Sequence, residues 1–185
     1  SERFTPLYTP SSNCLHRWGQ YGENCSIEPG ETVEIQSDGY RYLGVVSVKS
    51  NAHLILSGKV FHFDQLNVDD GGIVTVYDSA GAGGSSNVSI WLKSGLILRG
   101  NLSRGESAGL ASGLLIGYFG TSEVSIRHLN ATIVAPRAKV TLESPSQPAN
   151  GVVTHRGAVY AQRVEVHQGG IFLADPLMCL RNAVY

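Results

Sequence analysis

From Thr32 onward the chain alternates apolar and polar residues in short runs. VEIQ (33–36), YLGVVSV (42–48), HLIL (53–56) and KVFHFDQLNV (59–68) come first. GIVTVYD (72–78), VSIWLK (88–93) and GLILRG (95–100) follow, and after a gap LLIGYFG (114–120) and VSIRHL (124–129). A period of two turns one face of a strand inward and the other to solvent. SDG (37–39), SNA (50–52), DDGG (69–72) and SAGAGGSSN (79–87) separate the runs and supply turn chemistry. NLSRGESAGLASG (101–113) is the longest loop candidate. No stretch carries a sustained helical stripe, so the pattern predicts an all-β chain.

Two segments near the C-terminus echo each other: ATIVAPRAKVTL (131–142) and GAVYAQRVEV (157–166). Both keep a small residue, branched alternation and a central alanine, with ESPSQPANGVVTHR (143–156) lying between them. A β-solenoid repeats in this loose way, with branched residues stacked inward and small residues at corners. The predicted inward column is Ile133, Ala135, Val140 and Leu142 on Val159, Ala161, Val164 and Val166. Arg137 and Arg163 hold matching places, which predicts a basic ladder on one outer face and makes both candidate ligand contacts. The alternative is a β-sandwich, for which Asp38-Gly39, Asp70-Gly71 and Asn150-Gly151 supply hairpin turns. Residues 1–31 hold Pro6, Pro10, Pro29, Trp18 and two cysteines and read as an irregular N-terminal cap or arm. Residues 32–185 read as the solenoid domain.

Composition narrows the function classes. Lys+Arg 14 against Asp+Glu 15 leaves a net charge of −1, so the clustered basic surface that nucleic acid requires is not expected. No apolar run is long enough to span a bilayer. The first residues are SERFTPLY, without Met, which reads as a processed product or an excised piece. Cys14 and Cys25 bracket a short turn-rich loop, and a disulfide between them suits an oxidising, extracellular compartment. Cys179 reads as a small buried residue.

Candidate chemistry is thin. GESAG (105–109) has the spacing of a nucleophile elbow around Ser107, but no His follows Asp175 and the surroundings are all-β. GAGG (81–84) lacks the Lys-Ser/Thr of a phosphate loop. The histidines show no zinc spacing, and His53 and His62 at polar positions are the one pair to consider. Asp64, Asp69, Asp70 and Asp78 offer oxygens to calcium but lack its loop pattern. No catalytic residue and no cofactor is assigned, and calcium is the one ion kept in view.

ATIVAPRAKVTL, followed by HRGAVYAQRVEVHQGGIFLADPL, is similar to the C-terminal signature of a bacterial family of right-handed β-helix domains. Its members occur in surface and secreted proteins, including type IV pilus-associated and choice-of-anchor-like ones. The matches are Ala131, Ile133, Ala135, Pro136, Ala138, Val140 and Leu142, then Gly157, Val159, Ala161, Val164, Val166 and Asp175. Leu54, Leu56, Val60, Phe61, Phe63, Leu66 and Val68 resemble its upstream rungs, so the likeness covers roughly residues 40–178. The chain is also loosely similar to bactofilins, which polymerise through β-helix ends. The resemblance implies a right-handed parallel β-helix and brings no catalytic residues. The expectation is therefore a non-enzymatic structural or adhesive solenoid at the cell surface or outside the cell, assembling as an oligomer or polymer. Its apolar arm (Phe4, Leu7, Tyr8) covers its own end or adds to a neighbour. Cell-surface polysaccharide or host matrix is the candidate partner, and a carbohydrate-binding or carbohydrate-cleaving β-helix is the alternative function.

Overall fold

The computed structural model describes residues 24–77, 87–105, 113–143, 153–167 and 170–174. Its strands are β1 (Cys25–Ile27), β2 (Thr32–Val48), β3 (His53–Val68), β4 (Ile73–Tyr77), β5 (Val88–Leu98) and β6 (Asn101–Arg104). They continue as β7 (Leu114–Tyr118), β8 (Val124–Ile126), β9 (Asn130–Leu142), β10 (Val153–Val166) and β11 (Gly170–Ala174). Every pairing is parallel. Hairpins make antiparallel pairs, so the sandwich alternative is excluded. Cys25 lies beside Val46 and Thr32 beside His53, so the chain returns next to itself after 21 residues. The result is a β-solenoid of about 5 turns.

The register sorts the strands into successive ladders around each coil. In the first, residues 32–36, 53–57, 73–76 and 101–104 stack. In the second, residues 60–63, 89–92, 115–118, 132–134 and 158–160 stack. In the third, residues 25–27, 46–48, 66–68, 96–98, 125–126, 141–142 and 165–166 stack. Bulges between Ser37 and Tyr40 and between Phe63 and Gln65 let one long strand pass from ladder to ladder.

The corner between the third ladder and the first repeats a single backbone device. Gly30, Asn51 and Gly71 all take left-handed φ values of 83°, 60° and 78°. Gly30 N–H donates to Asn51 C=O at 2.9 Å, and Asn51 N–H donates to Gly71 C=O at 3.1 Å. Glycine and asparagine are the residues that enter this region most readily, which accounts for EPGE, SNA and DDGG recurring at one corner.

The core is a set of side-chain columns. Val33, Leu54, Val74 and Leu102 form one column, and Phe61, Ile90, Ile116 and Ile133 another. A third runs Ile27, Val48, Val68, Leu98, Ile126, Leu142. All of these are buried. At about 1.5–3 kcal/mol for each fully buried aliphatic or Phe side chain, the columns dominate the favourable side of folding. Flush branched residues also fix the register, because a one-residue slip would turn each column to solvent.

The four-residue column expected between the repeat copies is present. Ile133 pairs with Val159, Ala135 with Ala161, Val140 with Val164, and Leu142 with Val166. Two details differ from the sequence reading. Residues 25–27 already form a strand of the solenoid, so the coil begins before Thr32 and the arm is shorter than 1–31. The register also shifts between Ala161 and Arg163, so β9 spends two more residues than β10 on the same corner.

Gly157 aligns with Ala131 and has φ of +130°, and a Cβ there would strike the Ala131 carbonyl. Gly157→Ala should lower stability by at least about 2 kcal/mol through backbone strain and this collision. Chemical denaturation of the two proteins checks it; an unchanged midpoint would refute this account of the corner.

Candidate functional site

The described ends of the solenoid differ. At the first coil, β1 and the start of β2 have no described strand on their outer side, yet Ile27, Val33 and Ile35 are buried. At the last coil the reverse holds. β9 pairs with β10 along most of its length, but β11 covers only Val153–Gly157 of β10 on the other side. Residues 158–166 therefore face no described strand across their outer edge. Val164 and Val166 are 43% and 48% exposed, whereas their partners Val140 and Leu142 are 0% and 1% exposed. Tyr160, Phe172 and Leu173 are exposed on the same two strands. An edge that no described strand pairs, with exposed core residues, is a template for another strand.

His155 sits inside this coil, fully buried, and among the described residues neither ring nitrogen has a well-formed hydrogen bond, only the nearby Glu143 backbone. Burial pushes its pKa below the usual range; the Glu143 backbone opposes the shift and the nearby His128 adds to it. Asn130 Oδ1 and Thr132 Oγ1 are also buried without partners among the described residues. Polar groups left this way are destabilising, and three of them weaken the end of the coil.

The expected basic ladder does not form. The shift at the β9 corner sets Arg163 beside Lys139 and leaves Arg137 on the bulge. Arg137 donates to the Phe119 carbonyl. Arg163 pairs with Glu165 at 2.8 Å, and Lys139 bridges Glu123 at 2.9 Å and Glu165 at 3.1 Å. The bonds to Glu123 and Glu165 raise the Lys139 pKa, while bonds from Thr141 and Lys139 lower that of Glu123. The charges of this face neutralise one another locally.

The other candidates are dispersed. Asp64 meets Lys93 at 3.5 Å, Asp69 meets Lys49 at 3.5 Å, and Asp70 meets Arg127 at 2.5 Å. Asp78 lies outside the described residues, and among the described residues no group of three or more His, Cys, Asp or Glu gathers as a metal site. His53 and His62 stand on different ladders; His53 bonds Thr75 at 2.8 Å and His62 packs beside Trp91. Cys25 opens β1 and is disulfide-bonded, but Cys14 lies outside the described residues, as do Ser107, Phe4, Leu7, Tyr8 and Cys179. Among the described residues no helix is long and apolar enough to cross a membrane.

The sequence reading missed the open edge and the outward aromatics. Trp91 and Tyr160 both stand at the polar phase of an alternating strand, and that displacement was the available signal. No family model, curated protein or solved structure matches the chain. The parallel coil agrees with the fold that the resemblance implies.

His155 makes the fold acid-sensitive. Its pKa is lowered on folding, so the unfolded chain takes up the proton first. Its contribution is complete above the ordinary imidazole value of 6.5 and declines as pH falls from there toward the lowered folded value. His155→Leu should remove that share and raise stability by about 1 kcal/mol at neutral pH by deleting an unsatisfied buried group. Thermal melts from pH 8 to pH 5 check this: the variant should lose less on acidification than the parent, and parallel losses would refute it.

Proposed function

We propose that this chain is a non-enzymatic structural or adhesive β-solenoid of the cell surface or extracellular space, and that it associates with copies of itself through its last coil. The observation that carries the reading is the exposed edge at residues 158–166, where Val164 and Val166 continue buried columns into solvent. Strand addition by a second copy would pair the edge and bury these side chains.

The unequal ends bear on geometry. Head-to-tail stacking needs two uncovered faces, and the core of the first coil is already covered. A self-complementary contact needs only the last coil and closes as a two-fold dimer. The disulfide at Cys25 supports an oxidising compartment, and Cys14 is its proposed partner.

Light scattering over a concentration series checks the proposal. The parent should approach dimer mass as concentration rises, and Val164→Asp should stay monomeric with an unchanged far-ultraviolet spectrum. A monomeric parent at high concentration would rule out self-association. Filaments in electron micrographs would replace the closed dimer with a donated arm.

A further inference from the structure

Along the second ladder the outward positions run His62, Trp91, Gly117, Val134, Tyr160 in consecutive register. Trp91 lies across Gly117, where any Cβ would collide with its indole ring. Phe119, two residues beyond Gly117, brings its ring parallel to Trp91, with centroids 5.5 Å apart and planes 13° apart. His62 flanks Trp91 on the other side at 6.4 Å and 26°. Phe119 is 51% exposed and Tyr160 is 52% exposed. Of the stacked rings Phe119 is exposed while Trp91 and His62 are half-buried, and none is needed for the core, which is filled by Phe61, Phe63, Ile90 and Leu92 on the opposite phase.

The borders of this strip are polar. Ser89 lies beside it, and the Asp64–Lys93 pair closes the other side, with Ser94 Oγ donating to the Asp64 carbonyl at 3.0 Å. Lys93 is 72% exposed in its side chain. Arg137, on the β9 bulge, holds the Phe119 carbonyl and so fixes where that ring stands.

We infer that the His62–Trp91–Phe119 strip is a binding platform for a neutral, extended β-linked polysaccharide chain. A pyranose ring presents apolar C–H faces and a rim of hydroxyls, and the strip offers flat π-faces between hydrogen-bonding borders. Width decides against a protein partner. Each aromatic side chain buries about 150–250 Å² at most, and with one side available three of them fall well short of the ~800 Å² per partner of a stable protein interface. A single sugar chain needs no more than such a strip, and parallel coils about 4.8 Å apart give it a straight track. The platform lies on the outer face of the coils and does not depend on self-association.

Affinity electrophoresis of the whole chain tests it, in native gels cast with hydroxyethylcellulose or with glycol chitin. The chain should be retarded in at least one gel. Phe119→Ala should weaken that retardation about tenfold. Phe119 lies outside every strand, so its removal leaves the ladders intact, and Phe119→Trp should restore binding. Trp91→Ala should also weaken retardation. Migration unaffected by either polysaccharide overturns the inference, as does retardation that Phe119→Ala leaves at the parent's strength. Retardation abolished by Val164→Asp but not by Phe119→Ala would assign the effect to assembly and overturn it too.

Discussion

Parallel pairing between successive coils is the constraint on which everything else here depends. A single coil cannot satisfy its own backbone: its N–H and C=O groups point along the solenoid axis, toward the coils before and after. The repeated left-handed corner at Gly30, Asn51 and Gly71 keeps each return in phase. The branched columns then hold that phase, because only flush stacking buries them. Gly157 shows how narrow the tolerance is, since the alanine that serves at position 131 does not fit directly above it.

The same constraint concentrates function at the ends and on the outer face. Interior strands have both edges occupied and offer a partner only their outward side chains. At the late coils of the third ladder Glu165 is engaged in local charge pairs with Lys139 and Arg163. On the second they are aromatic and partly open. At the last coil no described strand covers the backbone of residues 158–166, next to the buried His155.

Much of the fold was legible because strand alternation is a local signal. The columns through Leu54, Phe61 and Ile90 follow from period two alone, and the echo of 131–142 in 157–166 identified which residues would stack. The Arg137–Arg163 alignment failed because it counted positions from the central alanine, and a bulge around Pro136 consumed two of them. The strand at Cys25–Ile27 is too short to display a period, so it was read as part of the arm. The open edge was not legible at all, since it depends on how far β11 runs beside β10. Trp91 was legible as an apolar ring at a polar phase, the one local inconsistency in a regular strand.

The left-handed corner and the parallel ladders also determine how the molecule carries load. Hydrogen bonds between coils lie along the axis, so tension applied between the first coil and the last would load the coil interfaces in series. The first coil to peel away would free 21 residues, the span from Cys25 to Val46. Drawn out, that length adds roughly 70 Å of chain. A solenoid strung between two anchors would therefore lengthen stepwise under force, yielding coil by coil and keeping the remainder folded.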